Sequence, residues 1–397
     1  MVEQRAPGPR ASAQGSASTP GVGDIRRIAV AMSGGVDSAV AAALLVEAGY
    51  EVVGVTMHLW PAWLPEPDDP FRACCGVSAI ADARAVATHL GIRHYVLNLR
   101  EAFERAVIDE FVDEYARGRT PHPCLSCNRA IKFALLLRKV RAMGLDGLAT
   151  GHYARIRYDA AEGRYLLLRG RDAAKDQSDV LFALGQAQLA RLRFPVGEYT
   201  KAEVRALARA RGLPVADKPD SQELCFVPRG SYAELVASRH PVAMRPGPIL
   251  DGTGRVLGTH RGIARYTVGQ RRGLGVSAGR PLYITAIDAA RNAVIVGEAA
   301  DLLAAGVEAR QVTWVAGTPP PGPIEVTARV RHGAREVPAR AWEDEEGVLH
   351  VRFAVPQRAP APGQAVTLYA GEVVLGGGII ERVEALRPAA VAGASGR

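Results

Sequence analysis

Two short stretches of this 397-residue chain concentrate the side chains that do chemistry. The first is Ser33-Gly34-Gly35-Val36-Asp37-Ser38, set between an apolar run over 27–32 (RIAVAM) and an alanine-rich run over 37–48. That order predicts a buried strand, an abrupt turn and a helix. Such a turn aims unpaired backbone N–H groups and the positive end of a helix dipole at one point, which suits an anion such as phosphate. A tight connection that binds nothing would carry similar glycines. No Lys-Ser or Lys-Thr pair follows, so the turn is not a loop of the G-x-x-x-x-G-K-[ST] kind. The second stretch is GRTPHPCLSCNRAIKF, residues 118–133, whose prolines are expected to hold Cys124 and Cys127 in an extended loop ahead of a helix starting near Asn128. A thiol beside a helix N-terminus is favoured as thiolate, and Arg129 and Lys132 add positive charge, so Cys127 qualifies as a nucleophile. A third thiol, Cys225, stands in DSQELCFV, residues 220–227. Three uses compete for these cysteines: small core residues, ligands of a metal or iron–sulfur cluster, or a persulfide relay. Plain structural zinc fits poorly, because it wants four ligands and three cysteines are well placed.

The elements that must position these groups follow from periodicity. Apolar runs over 50–57, 93–99 and 145–150 predict strands, and the stretches 77–90, 102–116 and 128–143 predict helices. This alternation from residue 26 to about 220 predicts an α/β fold, an open parallel sheet covered by helices, with ligands at the carboxyl ends of its strands. Beyond residue 228 helices thin out; a small mixed unit over about 225–298 precedes an all-β unit over 307–386 with hairpin-like segments. The expected boundaries are a disordered tail over 1–24, a nucleotide and catalytic domain over 25–220, a central domain over 221–300, a C-terminal β-barrel-like domain over 305–386 and a disordered tail over 387–397. Cys74 and Cys75 precede a helix and are expected to be structural.

Composition bounds the function. An apolar content of 48% supports buried cores, and no apolar run approaches the roughly 20 residues that cross a bilayer. Five cysteines in a chain whose start lacks an apolar signal core point to a reducing compartment, the cytoplasm. The net charge of +8 fits a polyanionic partner such as nucleic acid, although ATP or plain solubility would also account for it. Arginines cluster over 265–272 and 329–340, as phosphate grips or as solvated surface.

SGGVDS resembles the pyrophosphate-binding (PP) loop of the N-type ATP pyrophosphatases, which cut ATP between its α and β phosphates. The resemblance implies an adenine nucleotide alpha hydrolase-like fold, with Ala31, Met32, Ser33, Gly34, Gly35, Val36, Asp37 and Ser38 around ATP and Asp37 assisting Mg2+. More specifically, AMSGGVDSAVAA, TPHPCLSCNRAIKF, ATGHYAR, KDQSDVLFAL, DSQELCFV, YTVGQRRGLGV and APGQAVTLYAGEVVLGGGIIE, in this order, resemble the bacterial tRNA-specific 2-thiouridylases over nearly all of 27–384. That family replaces the C2 oxygen of the wobble uridine with sulfur in tRNAs for Lys, Glu and Gln.

By this resemblance Cys127 is the nucleophile and Cys225 carries the persulfide, while Met57 and Gly151 help to hold ATP. His122, Pro123 and Cys124 would lie against the target base, and His152, Lys175, Asp176, Gln177, Arg331, His332 and Gln364 would touch tRNA. The implied partners are tRNA and a cysteine desulfurase or sulfur-relay protein; no membrane is involved. One departure stands out. The best-known relatives carry Asp where this chain has Cys124, so Cys124, Cys127 and Cys225 offer three ligands for a [4Fe-4S] cluster as an alternative to a two-cysteine disulfide cycle. Two other functions remain open: a PP-loop ligase that adenylates for a nitrogen nucleophile, and a non-catalytic RNA-binding or iron–sulfur sensing protein.

Overall fold

The structure is a computed structural model and describes residues 25–63, 77–220, 225–227, 232–276 and 278–386. The expected tails and the Cys74-Cys75 pair lie outside these residues. The first domain opens with β1 (Arg27–Ala31), whose Ile28, Ala29 and Val30 are fully buried, as expected of a central parallel strand covered on both faces. It leads through Ser33–Gly35 into α1 (Val36–Glu47), and then β2 (Glu51–His58), α2 (Val77–His89) and β3 (Arg93–Asn98) follow. Next come two long helical stretches, α3 over 100–116 and α4 over 123–142, and the strand β4 (Gly147–Ala149). A hairpin of β5 (Ala154–Asp159) and β6 (Arg164–Arg169) precedes β7 (Leu192–Arg193) and α5 (Lys201–Ala210). Strands β3-β2-β1-β4-β7 form one open sheet in that order, every pair parallel. The small side chains Ala39, Ala41, Ala42 and Ala43 let α1 lie close on this sheet.

Helix α4 starts earlier than its sequence suggests. His122 is its N-cap and Pro123 its first residue, so Cys124 and Cys127 stand in the first turns of the helix and not in a loop before it. Proline costs nothing at that position, where its missing N–H has no partner to lose. The helix then winds wider than an α-helix over Cys127–Leu136, a distortion often found at functional sites.

The central domain is a mixed four-stranded sheet of β8 (Gly247–Asp251), β9 (Val256–His260), β10 (Tyr283–Asp288) and β11 (Ala293–Gly297), ordered β10-β11-β8-β9. The third domain comprises β12 (Leu303–Trp314), β13 (Ile324–Arg329), β14 (Val337–Glu343), β15 (Leu349–Arg358), β16 (Ala365–Ala370) and β17 (Val373–Ala385). Antiparallel pairing runs β12-β15-β14-β13-β16-β17 and returns from β17 to β12, closing a six-stranded barrel. Leu349, Val351, Val366, Leu368 and Ile380 fill its interior. The start of β17 also pairs with β6 through Val373–Leu168 and Val374–Leu167, so the hairpin of the first domain is an extension of the barrel sheet.

Candidate active site

The turn after β1 is built as its glycines require. Gly34 has φ +69°, and a Cβ there would stand 2.5 Å from the Ala79 carbonyl oxygen of α2. It therefore lets the turn press against α2 and is set back from the cavity. Gly35 caps α1 with no side-chain hydrogen bond, leaving the N–H groups of that first turn to face outward. The turn is knit internally, Ser33 N donating to Ser38 Oγ at 3.2 Å and Ser38 Oγ donating to the Gly35 carbonyl at 3.1 Å.

In front of the turn lies a cavity of about 330 Å³. Ala31, Met32, Ser33, Gly35, Val36, Asp37, Ser38, Met57 and Gly151 all line it, which brings together every residue assigned to the nucleotide except Gly34. Gly151 has to be glycine, since a Cβ there would lie 2.7 Å from the Ser38 nitrogen. His152, Lys175 and Gln177, expected at tRNA, line the same cavity. Burial, with the Lys132 charge second, pushes the His152 imidazole well below its ordinary pKa, so it stays neutral and shares a hydrogen bond with Thr150 Oγ1.

Sequence reasoning missed the charge network on the far wall of this cavity, formed by Tyr153, Lys201 and Asp220 with Asp37. Lys201 Nζ lies 2.7 and 2.9 Å from the two Asp37 oxygens and 2.8 Å from Asp220 Oδ1. Tyr153 donates its hydroxyl to Asp37 Oδ1 at 2.7 Å, and both burial and the Asp37 charge push the phenol pKa upward. Asp220 also accepts from Lys175 at 2.9 Å and Arg205 at 2.8 Å. Burial alone would raise the Asp220 carboxyl, but hydrogen bonds from Lys201 and Lys175 outweigh it and hold the pKa down at about 2. The available signal was Thr200-x-x-Glu203, a capping box that marks a helix start and places Lys201 at its first position.

At the head of α4, Cys124 is exposed and Cys127 is buried. Cys225 is half-buried and packs on the same apolar cluster that contains Cys127. Its neighbour Phe226 fixes that segment by edge-on contacts with Phe103 and Phe111 of α3. Among the described residues no three His, Cys, Asp or Glu side chains converge in a metal-holding group. No step below runs through a cluster.

A second, small pocket collects His122, Arg331, His332 and Gln364 beside Asp179 and Arg329. His122 and His332 stack with ring centroids 6.4 Å apart, and His332 Nδ1 lies 2.9 Å from Asp179 Oδ2. Gln364 Nε2 donates to the Thr120 carbonyl at 2.8 Å, so the barrel grips the chain just ahead of Pro123. Two side chains here turn inward. The Asp176 side chain is buried and accepts from the Gly170 and Ser178 backbone N–H groups, Ser178 Oγ and Arg329. Arg329, from the basic cluster over 329–340, is likewise turned inward, paired with Asp176, Asp179 and Glu336 and lying over the Tyr369 ring. A larger, mostly apolar cavity of about 630 Å³ between the central sheet and the barrel has no thiol in its lining and Asp301 as its one carboxylate.

Three family models cover most of the chain: the tRNA methyl transferase HUP domain matches residues 26–229, the tRNA methyl transferase PRC-barrel domain 236–298 and the aminomethyltransferase beta-barrel domain 304–380. The chain is 53% identical over 354 residues to the tRNA-specific 2-thiouridylase MnmA of Moorella thermoacetica, covering 89% of this chain and 99% of that one. It is 52% identical to the protein of the same name from Roseiflexus sp. and 51% identical to that from Chloroflexus aurantiacus, each match covering 90% of this chain and 99% of the relative.

Proposed function

This chain belongs to the tRNA-specific 2-thiouridylases, tRNA sulfurtransferases of the ATP-using PP-loop group, and from that premise we propose which of its residues do the work. ATP binds in the cavity before α1, with its phosphates on the N–H groups at Gly35–Ser38 and its base toward Met57. Asp37 assists a Mg2+ ion. The reacting oxygen on C2 of the wobble uridine, in tRNAs for Lys, Glu and Gln, is a poor leaving group until adenylation turns it into AMP and releases pyrophosphate. His122, Pro123 and Cys124 present the base, while Arg331, His332 and Gln364 hold the RNA. The domain boundaries expected from the sequence divide this labour: the nucleotide, Cys124 and Cys127 in 25–220, Cys225 at the start of 221–300, and the RNA grip in 221–300 and 305–386.

Sulfur arrives as a persulfide on Cys225, from a cysteine desulfurase or a relay protein in the cytoplasm. Its terminal sulfur attacks C2, either while still bonded to Cys225 Sγ or as hydrosulfide displaced when Cys127 thiolate attacks Cys225 Sγ and closes the disulfide, and AMP departs. In the direct route Cys127 thiolate then attacks Cys225 Sγ, the sulfur–sulfur bond breaks toward the uridine sulfur, and two thiol sulfurs are left as a disulfide that an external thiol reductant reopens. The observation that carries this reading is the single cavity onto which nine of the ten residues assigned to the nucleotide converge.

The test is a thiolation assay with tRNA, ATP and a persulfide donor. Cys127→Ser and Cys225→Ser are each expected to lower the rate by at least about a thousandfold while ATP-analogue binding is retained. Thiolation by Cys225→Ser at the unaltered rate would leave the relay without its carrier and favour an amide-forming ligase. Iron and acid-labile sulfide in anaerobically purified protein, with activity that tracks them, would overturn the relay in favour of a cluster.

A further inference from the structure

We propose that Lys201 neutralises Asp37 so that the N-terminus of α1 can accept the ATP triphosphate, a role that rests on the cavity being the ATP site. The difficulty it solves is electrostatic. Asp37 lies in the first turn of α1, where anions are wanted, and its carboxylate faces the same cavity as the N–H groups meant for phosphate. An unneutralised carboxylate there would repel an anionic ligand in that cavity. Lys201 answers that charge: it is mostly buried at 13% side-chain exposure, its ammonium grips both Asp37 oxygens, and Asp220 steadies it from the other side.

The fold accepts a penalty to put the charge there. Lys201 is the first residue of α5, where a cation opposes the helix dipole. The capping box offsets part of this, Thr200 N donating to Glu203 Oε2 at 2.7 Å, and Asp172 Oδ2 accepts from Lys201 N at 2.9 Å. The other lysines that line the cavity make other contacts: Lys132 donates to Asn128 Oδ1 at 2.9 Å, Lys175 pairs with Asp220, and Lys218 pairs with Asp82 at 2.5 Å. The PP-loop turn supplies dipoles, and a helix from the other end of the domain supplies the charge that lets them act.

The experiment is calorimetric binding of α,β-methylene-ATP, first in EDTA so that no divalent cation can substitute for the ammonium, then with Mg2+. In EDTA, Lys201→Met is expected to bind at least about tenfold more weakly than wild type, and Lys201→Arg within about twofold of it, since the charge is kept. The decisive variant is Asp37→Asn/Lys201→Met: with the carboxylate gone its cation is not needed, and most of the lost affinity should return. Restoration by a second substitution is something a merely structural lysine would not give. Equal binding by wild type and Lys201→Met, or a double variant no better than the single one, would overturn the proposal. Should Lys201→Met fail to fold, a loss of binding by Lys201→Gln without recovery in Asp37→Asn/Lys201→Gln would overturn it as well. Failure of wild type to bind the analogue under either condition would overturn the cavity as the ATP site together with this proposal; wild-type binding matched by Lys201→Met overturns the proposal alone.

Discussion

Gly34 shows what one residue decides at the nucleotide turn. Any side chain there meets the α2 backbone and a backbone conformation that L residues avoid, so Gly34→Ala should cost roughly 1–3 kcal/mol of stability and weaken ATP-analogue binding, as denaturant melts and calorimetry on the same preparation would show. His332 carries a second expectation at this scale. Its hydrogen bond to Asp179 raises its pKa above the ordinary value, so the stability it contributes is fully present below the unfolded pKa of about 6.5 and is lost as pH rises through the folded value. Burial of His122 lowers its pKa and works in the opposite sense, so the comparison must isolate His332. The melting-temperature gap between wild type and His332→Gln should be clear near about pH 6 and vanish by about pH 9; a gap that widens with pH would refute the pairing. The turn residues were legible because glycines between a strand and a helix have few meanings. Lys201 and Tyr153 were not, since a lysine after a threonine is common and only the fold carries it to Asp37.

At the level of elements, the barrel holds the approach to α4 at several points. Arg119, three residues before His122, donates to Glu381 of β17 at 2.5 and 2.8 Å and to Glu114 at 2.6 Å, and Thr120 N donates to the Pro362 carbonyl at 2.8 Å. Glu381→Gln should therefore lower the thiolation rate by about tenfold through misplacement of the thiol helix, and quicken alkylation of exposed Cys124, without changing ATP-analogue affinity. Unchanged alkylation and rate would show that the barrel does not position this helix. The strands and helices around the open sheet were readable from their periods, yet the start of α4 was not. Two prolines read as an extended loop, whereas Pro123 in fact begins the helix and draws both cysteines into it. The barrel itself was expected, but not the strands that close it, because β12–β17 pairing joins residues too distant in sequence for any local signal.

For the whole molecule, the composition that suggested RNA leads to an ionic expectation: tRNA affinity should fall linearly with salt on logarithmic axes, and a flat response would mean that phosphates contribute little. The change from an α/β unit to β-rich units was legible from the switch in hydrophobic period. What it concealed is that β6 of the first domain is a strand of the third domain's sheet, reinforced by Arg169 pairing with Glu336. The two domains should therefore unfold in one calorimetric transition, and two resolved peaks would contradict that coupling. The shared sheet also sets a rule for anyone who would shorten this protein. Cut away the barrel, and the Leu166–Leu168 segment, normally buried, becomes the rim of a two-stranded ribbon with open amides on one side and oily side chains beside them. Such a fragment would recruit copies of itself and precipitate, so the catalytic half is best produced with its cover attached.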